Sequence, residues 1–140
     1  MKKYRLTEET TKVGNRPLYR IQALRDFGNV TKGDIGGYIE SEKNLSQDGN
    51  AWVSGNACVY GDADIKTTGD ICSMSGFGSE YRTTTAFRTK NGDVHVSCGC
   101  FQGNLEAFCQ RVEITHGNNL YGREYKKMIE MLKIHFEVEP

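Results

Sequence analysis

Proline is nearly absent from this 140-residue chain, with two copies, and neither sign of charge is in surplus, with 18 Lys and Arg against 18 Asp and Glu. Scarce proline and a hydrophobic content of 37% exclude a collagen-like or disordered chain. The length supports one buried core and is too short for two independent ones. No apolar stretch reaches the ~18–20 residues needed to span a bilayer. The opening Met1-Lys2-Lys3-Tyr4-Arg5 runs into polar Thr7-Glu8-Glu9-Thr10-Thr11 rather than an apolar signal core. A soluble, unsecreted protein with no membrane partner is expected. Gly-x-Ser-x-Gly, a phosphate loop, a dinucleotide fingerprint and His-Glu-x-x-His are all missing, and His95, His116 and His135 are the only histidines. No standard hydrolase, nucleotide-hydrolase, dehydrogenase or metalloprotease motif is left.

Five cysteines (Cys58, Cys72, Cys98, Cys100, Cys109), an odd number without a signal peptide, read as reduced cytosolic thiols. Cys98-Gly99-Cys100 lacks the second pair or the histidines that a structural zinc site uses, so no metal or other cofactor is expected. The zero net charge hides an uneven distribution. Residues 1–33 carry eight Lys and Arg against three Asp and Glu, residues 34–80 two against eight, and residues 81–140 eight against seven. Duplex nucleic acid, which needs a broadly basic face, is not an expected partner. A small anion held by a few arginines stays open.

What is present in quantity is glycine, with 16 copies, mostly before Gly103. It punctuates a repeat: Ala51-Trp52-Val53-Ser54-Gly55-Asn56, Ala57-Cys58-Val59-Tyr60-Gly61-Asp62 and Ala63-Asp64-Ile65-Lys66-Thr67-Thr68 share a six-residue period, which we extend through Ile71 to Phe77. A branched apolar residue every six, a small residue two before it and glycine at the turn are the hexapeptide signal of a left-handed parallel β-helix. Only two or three coils fit, since one coil takes about eighteen residues. Hexapeptide acyltransferases resemble this repeat, but they use many coils and a catalytic histidine, and residues 30–80 contain no histidine.

The flanking segments complete an α+β reading: a β region with hexapeptide repeats over 1–80, then a β-hairpin and two helices over 81–140, forming one compact unit. Residues 17–25 alternate, with Tyr19, Ile21 and Ala23 on one side and Arg20 and Gln22 on the other, and residues 4–7 can pair with them. Ser73 to Ser79 breaks the repeat and reads as the boundary. Asn91-Gly92 between two β-rich runs signals a hairpin. A two-residue type I′ turn there sets Phe87 opposite Val96, Thr85 opposite Cys98 and Thr89 opposite Val94 on one face, leaving Arg88 beside His95 and Ala86 beside Ser97 on the other. Leu105, Phe108, Cys109 and Val112 mark a helix near 104–116, capped by Asn104 and stopped at Gly117. Tyr121, Tyr125, Met128, Ile129, Leu132 and Phe136 mark a second near 121–136. This stripe is wider than a small unit covers, so a homo-oligomer, a dimer or higher, is expected through the second helix.

The exit of the hairpin gathers the candidate ligand-binding residues. Phe101, Gln102 and Asn104 sit beside the free amides of a helix N-terminus. Phe101 has two readings, a plug of the hairpin against the helices or a flat surface for a nucleobase. Arg25, Arg88, Arg111 and Arg123 are either ordinary surface charge or holders of a diphosphate, for which the planar guanidinium is suited. No catalytic residue is assigned and no enzyme is expected.

Leu18 to Phe27, Gly33 to Ser46, the Gly-Asn-Ala repeats, Phe87 to Gly92, Cys98-Gly99-Cys100-Phe101-Gln102-Gly103, His116-Gly117 and Tyr121 to Tyr125 together resemble small tailed-phage proteins that join a short hexapeptide β region to a ββαα unit. The layout is similar to the Thoeris anti-defence sponges, which sequester cyclic ADP-ribose isomers between subunits without cleaving them. The resemblance implies a phage protein acting in the host bacterial cytoplasm, whose partners are a small signalling nucleotide and its own copies. The alternative readings are a structural β-helix module of a phage and, behind it, a degenerate hexapeptide acyltransferase.

Overall fold

The computed structural model describes residues 2–138; Met1, Glu139 and Pro140, the outermost residues of the two expected regions, lie outside it. The fold is α+β, with two four-stranded sheets followed by two helices. In the first sheet, β1 (Tyr4–Val13) turns at Gly14-Asn15 into antiparallel β2 (Arg16–Ala23), which pairs with β3 (Ile35–Ile39). The expected inward face of β2 needs a correction. A register shift between Arg20 and Gln22 breaks the alternation, so Leu18, Ile21 and Ala23 are buried while Tyr19 is only half-buried.

β3 pairs in parallel with the two-residue β4 (Cys58–Val59), placing Ile39 beside Val59, and the isolated parallel bridge from Leu45 to Ile65 follows the same offset of twenty positions. The six-residue period becomes a column of side chains: Ala51, Val53, Ala57, Val59, Ala63 and Ile65 are all buried in one core with Ile39 and Leu45. Fixed spacing is what lets one chain segment stack its apolar positions on another. The period stops earlier than its sequence pattern suggested. Residues Ile71–Phe77 form β5, which pairs antiparallel with β6 (Arg82–Arg88) in the second sheet, so the change of architecture falls near residue 70.

β6, β7 (Val94–Cys98) and β8 (Phe101–Asn104) complete that sheet. The β6–β7 register overturns the expected one by a single residue, with Phe87 opposite His95, Ala86 opposite Val96 and Arg88 opposite Val94. A type I′ turn requires positive φ at both central residues, but here only Gly92 is left-handed, at φ +84°, and Asn91 is not. Thr89 N–H bonds Asp93 O and Gly92 N–H bonds Thr89 O, which closes a three-residue loop instead of a two-residue one. One extra loop residue moves every side chain to the opposite face. Phe87 therefore joins the first core and Val96 the second, so both faces of the hairpin are buried. Two apolar clusters form where the length suggested one, and this hairpin is their shared wall.

The helices close the second cluster. α1 (Leu105–Thr115) starts on the Asn104 side chain, which accepts from Ala107 N–H at 2.8 Å, and ends with Gly117 at φ +59°. α2 (Leu120–His135) starts on Asn119 in the same way. The stripe Tyr125, Met128, Ile129, Leu132 and Phe136 is buried against the chain's own sheet, so it is not left over for a second subunit. What α2 exposes instead is Leu120, Met131 and Ile134 on its far side.

Candidate functional site

A cleft of about 310 Å³ opens where the β5–β6 turn, the β7–β8 turn and α1 meet. Its floor is aromatic. Phe101 packs on Phe108 at 5.3 Å, Phe108 meets Tyr125 edge-on at 5.7 Å, and His116 stacks on Tyr125 at 5.6 Å. Arg82, at the start of β6, and Arg111, on the outward side of α1, line it with Glu80. The Arg111 guanidinium lies over the Phe101 ring at 5.4 Å, and among the described residues neither arginine makes an ion pair. Arg82 rests on the β7–β8 turn, where Gly99 at φ +58° has no side chain; a Cβ there would collide with the guanidinium. Tyr125 Oη finds only distant partners, Phe77 O at 3.5 Å and Cys98 Sγ at 3.6 Å. Burial, reinforced by the Cys98 contact, pushes its phenol well above the ordinary range, so it stays protonated and able to donate.

Of the seven expected residues, the cleft brings together Phe101 and Arg111. Phe101 is 9% exposed, so it forms part of the floor and the Arg111 guanidinium covers it. Arg88 is committed elsewhere: it donates to Phe136 O at 2.6 Å and Gly92 O at 3.0 Å and lies 3.7 Å from Asp70. Those partners follow from the corrected register, which turns Arg88 toward the C-terminus of α2. The Asn104 amide oxygen is consumed by the helix cap. Gln102 is exposed on the edge strand and faces the β1–β2 turn at Gly14. Arg25 belongs to the first sheet's loops, donating to Gln47 O at 3.3 Å beside Phe27. Arg123 is exposed on α2 and does not line the cleft.

Arg82, His116 and Tyr125 were the residues missed. A usable signal existed: glycines at 76 and 78 mark a hairpin turn, and reading residues 71–77 as its first strand would have set Arg82 opposite Phe77 and beside the Cys98–Phe101 turn.

No family model matches the chain. In an alignment 61 positions long that covers 38% of this chain, it is 39% identical to the uncharacterized acetyltransferase YdcK of Escherichia coli (strain K12). The match spans 19% of that relative's length. Among the described residues no helix is long and apolar enough to cross a membrane, and no cluster of three metal-ligating side chains occurs.

Proposed function

We propose that the protein binds and sequesters a cyclic ADP-ribose-type nucleotide in the cleft between the β5–β6 turn and α1, without cleaving it, as a phage anti-defence protein would. The observation that carries this reading is the pair Arg82 and Arg111, two guanidiniums without ion-pair partners among the described residues, lining a cleft with an aromatic floor. A diphosphate needs such forks, and charge-assisted bonds are the strong ones. Tyr125 Oη supplies a donor for a ribose or phosphate oxygen, and the Glu80 carboxylate an acceptor for ribose hydroxyls. Self-association belongs to the reading, supported by the exposed ridge of Leu120, Met131 and Ile134 on α2.

The parallel stacking of residues 39–45 on 59–65 supports reading the first sheet's later part as a short coil of the hexapeptide β-helix type. The acetyltransferase relative favours a second reading, in which the chain is a reduced hexapeptide acyltransferase. The two readings separate in one experiment. Purified protein is incubated with cyclic ADP-ribose isomers, or with acetyl-coenzyme A and a mixture of hydroxyl and amine acceptors, denatured, and the released small molecules are weighed by mass spectrometry. Intact nucleotide supports sequestration; free coenzyme A together with an acetylated acceptor supports the acyltransferase; neither bound nor changed leaves the structural-module reading.

A further inference from the structure

A second cleft, of about 530 Å³, lies on the opposite side of the second sheet from the helices, between the loops of the first sheet and β5. Its polar lining is neutral throughout. Asn29, Asn50, Ser54, Thr68 and Ser73 surround Trp52, and no Asp, Glu, Lys or Arg contributes. The arginine cleft carries Glu80, Arg82 and Arg111, and the depressions around Lys43 and around Arg88 are likewise charged. The chain builds this surface from simple alternation: Ala51 and Val53 point into the core, so Asn50, Trp52 and Ser54 face outward in sequence from one extended segment. The indole is thereby flanked in sequence by two hydrogen-bonding side chains that line the same cleft. Phe27 at 5.3 Å and Tyr4 at 6.5 Å brace the indole edge-on and Gly36 leaves room for its six-membered ring, so its orientation is fixed and the half-buried ring contributes its remaining exposed part to the cleft lining. The five polar side chains have no hydrogen-bond partner among the described residues that uses their side-chain atoms.

We infer that this cleft binds a neutral saccharide. The indole's negative face attracts the weakly positive C–H face of a pyranose. Asn29 and Asn50 each offer a donor pair and an acceptor, and Ser54, Thr68 and Ser73 offer hydroxyls that serve as either, which matches a polyol's mixed requirements. With no cation present, a nucleotide's phosphates find no partner here, and with no carboxylate an amine finds none either. The site is independent of the arginine cleft.

The chain contains a single tryptophan, so its fluorescence reports on this cleft directly. The protein is titrated with maltotriose, cellotriose and triacetylchitotriose, each to about 10 mM, a range that covers a Kd of about 1 mM. A saturable change in Trp52 emission with at least one is expected, with no response to cyclic ADP-ribose. The double variant Asn50→Ala, Ser54→Ala changes only exposed side chains and keeps the indole; it should bind the responding sugar about tenfold more weakly, the loss of two ordinary hydrogen bonds. No saturable response to any of the three sugars, or an unchanged affinity in the variant, overturns the proposal. An emission change with cyclic ADP-ribose of the same size as that with sugar also overturns it, because the cleft would then not discriminate against charge.

Discussion

At the scale of single residues, the arginines divide by commitment rather than by position in sequence. Among the described residues Arg82 and Arg111 have no carboxylate partner, whereas Arg88 and Arg20 are held by several acceptors. Arg82→Ala and Arg111→Ala are each expected to weaken nucleotide binding by about tenfold to a hundredfold, the loss of one charge-assisted bond, measured by calorimetry with thermal stability unchanged. Phe101→Ala acts differently, because its ring is part of the core; it should cost about 3 kcal/mol of stability, visible in denaturant unfolding. Lys3 gives a second residue-scale test. Its ammonium is fully buried, donating to Ala51 O at 2.7 Å and Asp48 O at 3.3 Å, and burial, with Arg25 nearby, lowers its pKa to about 8. Between pH 8 and its unfolded value near 10.5 the unfolded chain binds the proton that the folded protein has released, so stability rises with pH across that window. Tyr4, raised by burial, acts oppositely above pH 10. Thermal melts of the wild type against Lys3→Met from pH 8 to 10 should show the wild type gaining on the variant; parallel curves refute the assignment.

Elements were legible wherever a pattern repeated often enough to outvote local irregularity. Both helices lie within a residue or two of their sequence bounds, because caps and periodicity agree at each end. Asn104→Ala should remove about 1 kcal/mol, read as a lower unfolding midpoint with an unchanged slope. The column from Ala51 to Ile65 was legible for the same reason. Three features escaped, two because a single residue controls each and the third because it depends on a distant partner. The β2 bulge displaces Tyr19, the left-handed Gly92 adds one residue to the hairpin loop, and β5 looks like a tail of the hexapeptides until its partner β6 is known. Pairing is a long-range property, and residues 71–77 alone do not name their neighbour. The candidate site suffered most, since its arginine from β6 depends on that pairing. The corrected register is testable in solution: NMR should show contacts between Phe87 and His95 rings and between Ala86 and Val96 methyls, whereas contacts between Phe87 and Val96 restore the two-residue turn.

The whole molecule is three layers thick at its centre, with the β6–β7 hairpin buried on one face by the stacked hexapeptides and on the other by the helices. Neither apolar cluster is closed without that hairpin, so the two are expected to unfold together although they share no residue. The junction rests on a small polar group in apolar surroundings: His95 Nε2 lies 2.9 Å from Tyr60 Oη, and its ring stacks on Phe87 at 5.1 Å. Burial, with the positive charge of Arg16 adding to it, holds the imidazole below its usual pKa of 6.5. Below pH 6.5 the unfolded chain takes up a proton that the folded protein refuses, so stability falls as the pH drops through that value and stops falling once the folded imidazole also protonates. Because His95 sits on the shared wall, acid should loosen both halves at once. Thermal unfolding from pH 7 to pH 5, followed by Trp52 fluorescence for the first cluster and by helical circular dichroism for the second, is expected to show both midpoints falling together in the wild type and falling less in His95→Gln. If the helical signal holds its midpoint while the Trp52 signal drops, the hairpin does not couple the two clusters and each stands on its own.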